Sequence, residues 1–252
     1  MTGPKILAIH GLAPKPRPEV LLQHVRQCWP IEAPQLQIEL LYWADLAGHP
    51  YQVYHYPHQM RPLSRWERII RPIRAVPRNV SRWLFEHCLA TALGVEGVCG
   101  TAHLLPTWLI GDHVEATGRH LFGASMADIA AYFQVTHGGL RDRILARLAA
   151  QQWDGTHYDL VIAHSMGSII ALDLLRHGVI KTDRLCTIGS QLGMGIVHFL
   201  LNKYYPVRQR NSATWAWWNI ADPLDVVAID KTLSDEGYSD GYIMDVDRKS
   251  VV

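Results

Sequence analysis

The stretch that most restricts the fold is "YDLVIAHSMGSIIALDLLRHG", Tyr158 to Gly178. A short apolar run, Leu160 to Ala163, reaches Ser165, and a helical rhythm of Ile169, Ile170, Leu172, Leu174 and Leu175 follows at once. So short a run reads as a buried strand, and the following pattern as a helix. The chain must therefore turn sharply at the serine, and only small flanking residues let such a turn close. Ala163 and Gly167 supply them. The result is A-H-S-M-G, with alanine at the first glycine of the G-x-S-x-G elbow. A serine on that turn projects its oxygen into a cleft. The Met166 N–H at the helix start is then placed to stabilise an oxyanion. A second donor is expected from the loop after an early strand. "AIHGL" offers one: Gly11 permits a close backbone approach, and the Leu12 N–H is the candidate.

Around this elbow the chain alternates between strand and helix patterns. Strands are expected at Lys5–Ile9, Leu36–Trp43, Leu160–Ala163, Leu185–Ile188, Thr214–Ile220 and Tyr242–Val246. Helices are expected at Pro18–Trp29, Ala124–Phe133 and Leu140–Gln151, after Ser165, and within "GSQLGMGIVHFLL". Such alternation argues for an α/β fold with a mostly parallel central sheet and helices on both faces. Residues 45–123 differ in character: rich in Pro, Arg, His and Trp, they lack a clear strand pattern. They read as a helical cap inserted into a core formed by 1–44 and 124–252, with helices expected at Trp66–Arg74, Val80–Leu93 and Pro106–Phe122.

Several function classes are disfavoured. A net charge of +1 over 252 residues gives no global nucleic-acid signature. The four cysteines form no CxxC pair and read as reduced thiols of a cytoplasmic protein. The opening "MTGPKILAIHGL" reads as a first strand, since its apolar run is too short for a signal peptide. No window is long and apolar enough for a transmembrane helix. Fourteen histidines invite a metal reading, but His55-x-x-His58 and its neighbours lack a zinc-like set, so neither metal nor cofactor is expected.

With the elbow, the strand–His–Gly signal, "TIGSQLG" and "NIADPLDVV", the chain resembles the α/β-hydrolase superfamily over residues 1–45 and 124–246. The A-H-S-M-G form is similar to that of small bacterial lipases and esterases. The resemblance implies a serine nucleophile, Ser165, and an acid on the loop after a later strand. "WWNIADPLDVVAID" offers Asp222, Asp225 and Asp230; superfamily spacing favours Asp225, with Asp222 as runner-up. The resemblance also implies a histidine after the acid, and none follows Asp225 in this sequence, the last being His198. The favoured expectation is a histidine just beyond Val252. Its rivals are a substitute among His198, His103, His113 and His120, or a catalytically silent relative. His10 and His164 belong to motifs in which the superfamily uses them structurally. "THGGL", Thr136–Leu140, reads as a helix start.

In the middle block Arg61, Arg65, Arg68, Arg71, Arg74, Arg78 and Arg82 recur every three or four residues, with Glu67 as the only acid among them. This basic amphipathic stripe fits peripheral contact with an anionic membrane, or a solvated helix pair over the core. The expected function is a serine ester hydrolase acting on a lipid or other hydrophobic acyl ester through an acyl-enzyme. The alternatives are a silent interaction protein, or an amidase or acyltransferase using the same site.

Overall fold

The apolar runs become parallel strands. In a computed structural model, which describes residues 3–11, 15–27, 36–49, 128–134, 137–206, 215–221, 233 and 241–247, the chain opens with β1 (Lys5–Ile9), α1 (Pro18–Gln27) and β2 (Gln37–Leu41). A short helical run over 128–133 precedes α2 (Leu140–Ala150). There follow β3 (His157–Tyr158), β4 (Leu160–His164), α3 (Met166–Arg176), β5 (Lys181–Thr182), β6 (Arg184–Ile188), α4 (Gly195–Tyr204), β7 (Trp215–Ala221) and β8 (Gly241–Asp247). Six strands form one sheet in the order β2-β1-β4-β6-β7-β8, and every pairing is parallel. The expected α/β architecture with a parallel sheet is therefore present. The two-residue strands β3 and β5 pair as a separate ribbon. They went unforeseen, because two residues carry no periodicity.

Alternation along β1 sorts the helices onto two faces. Leu7 and Ile9 enter the larger core with Ile144 and Leu148 of α2, Ile170 and Leu174 of α3, and Val197 and Leu201 of α4. Ile6 and Ala8 enter the smaller one, against Leu21, Leu22 and Val25 of α1. Right-handed crossovers require this division: the chain steps one way from β1 to β2, then the other way from β4 through β6 and β7 to β8. The strand order thus reverses between β1 and β4. In open parallel sheets the crevice beyond the strand C-termini at such a point is where ligands bind.

β2 was expected to run to Trp43, and its ladder stops at Leu41. The reason is a side chain: the Trp43 N–H donates to His10 Nε2 at 3.0 Å instead of to a strand. Of the expected cap, only 45–49 fall within the described residues. They turn against the core, with Arg147 holding Asp45 through two hydrogen bonds of 2.7 and 2.8 Å.

Helix α3 is buried from Met166 to Leu175, so its one acidic residue, Asp173, must be fully partnered. Arg141 donates to it from Nε at 2.7 Å and from Nη2 at 3.2 Å, and Tyr132 donates through its hydroxyl. His177 Nδ1 lies 2.9 Å from Oδ1. Burial raises the Asp173 pKa, but the His177 and Arg141 hydrogen bonds and the Arg141 charge outweigh it and leave the value lowered. The same bond to Asp173 raises that of His177, against the opposing effect of burial. A lowered carboxylate contributes stability above its ordinary 3.8 that is lost as pH falls through the folded value. A raised imidazole contributes stability below its ordinary 6.5 that is lost as pH rises through the folded value. Urea midpoints should therefore fall on both sides of the window between these ordinary values. Asp173→Asn should remove both dependences and, by leaving Arg141 unpaired, cost about 3–5 kcal/mol. An unchanged pH profile in that variant would contradict the assignment.

A second buried network crosses the sheet near its C-terminal end. Trp217 Nε1 donates to Thr187 Oγ1 at 2.9 Å, and Thr187 Oγ1 donates to Asn219 Oδ1 at 3.0 Å. Asn219 Nδ2 donates to Asp245 Oδ1 at 2.8 Å, which also accepts the Leu233 N–H at 3.0 Å. These bonds tie β6, β7 and β8 together, and fix to β8 one point on the segment between β7 and β8.

Candidate active site

Ser165 joins β4 to α3 at the reversal of strand order, with φ 54° and ψ −127°. Among the described residues Gln152 is the other non-glycine at positive φ. Gln152 follows the last turn of α2, where left-handed backbone is ordinary. Ser165 begins a helix, and strain of about 1–3 kcal/mol there must be imposed by its surroundings. Those surroundings are identifiable. The Ser165 N–H donates to Ile188 O at 2.9 Å, and Ser168 N donates to Ser165 O at 2.9 Å. Ser168 Oγ donates to Ala163 O at 3.3 Å. The small residues act as the elbow requires. A Cβ on Gly167 would lie 2.6 Å from Ile9 O and 2.7 Å from His10 O, so α3 starts directly against the end of β1. A Cβ on Gly11 would lie 2.6 Å from both Ser165 Cβ and His164 Nδ1.

The end of β1 is held by an aromatic clamp. The Trp43 indole stacks on the His10 ring at 4.9 Å between centroids and donates from Nε1 to His10 O at 2.9 Å. Because the Trp43 backbone N–H needs an acceptor at His10 Nε2, the proton sits on Nδ1, which donates to Gly11 O at 2.8 Å. Burial pushes the His10 pKa down to about 3. Both ring nitrogens are thus committed to backbone, and His10 braces the turn instead of moving protons.

The third wall comes from the loop after β6. Gly189, at φ 56°, turns the chain while its N–H donates to Ile220 O at 2.9 Å. Ser190 Oγ accepts the Leu192 N–H at 3.1 Å. Gln191 then points inward, fully buried, and its Nε2 donates to Ser165 Oγ at 2.9 Å. Its Oε1 is buried without a hydrogen-bond partner among the described residues. Ser165 itself is 7% exposed.

Of the residues predicted for the site, Ser165 and Met166 are adjacent at the elbow. Leu12, Asp222, Asp225 and Asp230 lie outside the described residues, as do His103, His113, His120 and the stripe from Arg61 to Arg82. His198 is on α4, partly buried. Gly139 of "THGGL" is the N-cap of α2, as a helix start requires. Gln191 and Trp43 were not foreseen. Gln191 lay within the quoted "TIGSQLG", but a glutamine in a loop carries no sign of whether it points inward. Burial pushes the Cys186 thiol up to about 11, so it remains protonated at neutral pH. Among the described residues no cluster of histidine, cysteine and carboxylate could hold a metal ion, and no helix is long and apolar enough to cross a membrane. The chain matches no protein-family model, no curated protein and no solved structure.

Proposed function

We propose that the protein is a serine hydrolase of α/β-hydrolase type that cleaves a hydrophobic acyl ester through an acyl-enzyme on Ser165. The observation carrying this reading is the strained Ser165 backbone at a strand-to-helix turn, walled by Gly11 and Gly167. Ser165 Oγ would attack the carbonyl carbon while a general base takes its proton. The Met166 N–H begins an 11-residue helix whose first donors lack intrahelical acceptors, and it is the oxyanion donor this geometry supports. Leu12 is proposed as the second donor and Asp225 as the acid, both on the resemblance. His10, bonded at both nitrogens, is not the base. The preference for a hydrophobic acyl chain rests on the resemblance to lipases and on the apolar stretches "WLFEHCLATALGV" and "AHLLPTWLIG" of the middle block, residues 45–123. That block is proposed as a cap, its arginine stripe as a peripheral contact for anionic lipid.

Acyl-enzyme chemistry predicts that a chromogenic acyl ester releases a rapid burst of about one alcohol per chain before steady turnover. No hydrolysis above buffer, or a burst retained by Ser165→Ala, would remove the reading. The silent-module alternative draws on one observation: among the described residues Ser165 Oγ is hydrogen-bonded to an amide, that of Gln191. Absence of a burst with the fold intact would favour it.

A further inference from the structure

The buried amide beside the serine is not part of the elbow pattern, and its chemistry is specific. Gln191 is fully buried, and Ser165 Oγ accepts from its Nε2 at 2.9 Å, with Oε1 unpartnered among the described residues. Turning the amide over would let Oε1 accept the Ser165 proton and strand the NH₂ group instead. A buried N–H without an acceptor is rarer than an under-satisfied carbonyl, so the donating orientation is the favourable one. It has a direct consequence for the serine. A hydroxyl has one proton and two lone pairs. With one lone pair taken by Gln191, the Ser165 proton is left to point elsewhere.

We infer that Gln191 is a positioning residue for the nucleophile. Its amide fixes Ser165 Oγ so that the hydroxyl proton faces a general base, and it stabilises the negative charge that grows on Oγ as that proton leaves. Gln191 transfers no proton. The proton passes from Oγ to an imidazole-type base, and the Oγ–carbon bond forms as the carbonyl π pair moves to oxygen. The placement suits this role. Gly189 turns the loop after β6 back towards β4, and the Ser165 N–H is anchored to Ile188 O in the same loop base. Donor and nucleophile are thus carried by neighbouring strands of the sheet. The inference rests on the proposed nucleophilic role of Ser165.

The test measures the rate at which a fluorophosphonate phosphonylates Ser165 in the full chain, a step that forms the Oγ–P bond, breaks P–F and releases fluoride. Q191M keeps the volume and removes the donor, and its labelling should slow about ten- to a hundredfold, the worth of a hydrogen bond to a developing charge. Q191E guards against a trivial folding defect, because each preparation is its own control across pH. A protonated carboxyl can donate to Oγ, whereas a carboxylate can only accept and competes with the base for the serine proton. The rate of Q191E relative to wild type should therefore fall as pH rises from about 4 to about 8. A Q191M rate equal to wild type, or a flat Q191E ratio, overturns the inference and leaves the hydrolase reading standing. A wild-type chain that the probe fails to label at Ser165 overturns both.

Discussion

Ser165→Ala should lower acyl-ester turnover by on the order of 10³- to 10⁶-fold, the loss that follows removal of a catalytic nucleophile. The residual rate should be what positioning and oxyanion donors supply on their own. The structural cost should be small by comparison. Alanine keeps the Cβ and so keeps the positive-φ strain at this position. What is lost is the acceptor for Gln191 Nε2, a buried donor left unsatisfied at about 1–3 kcal/mol. Steady-state rates and a thermal melt on the same preparation separate the two effects. A variant that keeps its melting profile and its turnover together would show that hydrolysis comes from elsewhere.

The second large effect concerns the elbow's geometry. Gly167→Ala should destabilise the chain, although helix propensity alone predicts the reverse by about 1 kcal/mol. The deciding quantity is distance. The new methyl would meet Ile9 O at 2.6 Å, His10 O at 2.7 Å and Ile9 C at 3.1 Å. The Ile9 atoms belong to a strand paired on both sides, with β2 and with β4, and His10 O just beyond it is held by Trp43 Nε1. They cannot swing away as a side-chain tip would. Either α3 backs off from the sheet or β1 shifts, and overpacking of this kind costs about 1–3 kcal/mol. For a chain of this size that is a fall of about 2–4 °C in the melting midpoint for each kcal/mol. Activity should fall further than stability, because α3 carries the Met166 N–H and Ser165 begins it. A Gly167→Ala chain as stable as wild type would mean that α3 does not start against β1. Gly11→Ala probes the other side: its methyl would meet Ser165 Cβ and His164 Nδ1 at 2.6 Å, so its main effect should be on labelling at Ser165.

The parts of this fold that the sequence announces are those with a one-dimensional signature. Strands buried on both faces read as near-continuous apolar runs, and Leu7, Ile9, Val161, Ala163 and Leu185 are each almost wholly buried. The elbow is legible because a strand, a serine, a glycine and a helix follow one another within a few residues. Contacts between distant segments leave no such trace. Trp43 reaches His10 across 33 residues of sequence, and Gln191 reaches Ser165 across 26. The first shortens β2 relative to its apolar run; the second supplies a hydrogen bond that no motif encodes. The buried Asp173 is a further case. Mid-helix it resembles any solvated acid; its burial is explained by His177 at the end of its own helix together with Arg141 and Tyr132, brought in by the segment before β3. Leu12 and Asp225 remain expectations from the resemblance.

The most direct test of the central claim is the site of covalent modification by a fluorophosphonate. The intact full-length chain, treated with the probe, should gain the mass of a single phosphonyl group, and peptide mapping should locate it on Ser165 within "AHSMG". Ser165→Ala should gain none under the same conditions. A wild-type chain that stays unmodified while folded, or an adduct on another residue that Ser165→Ala retains, would contradict the account.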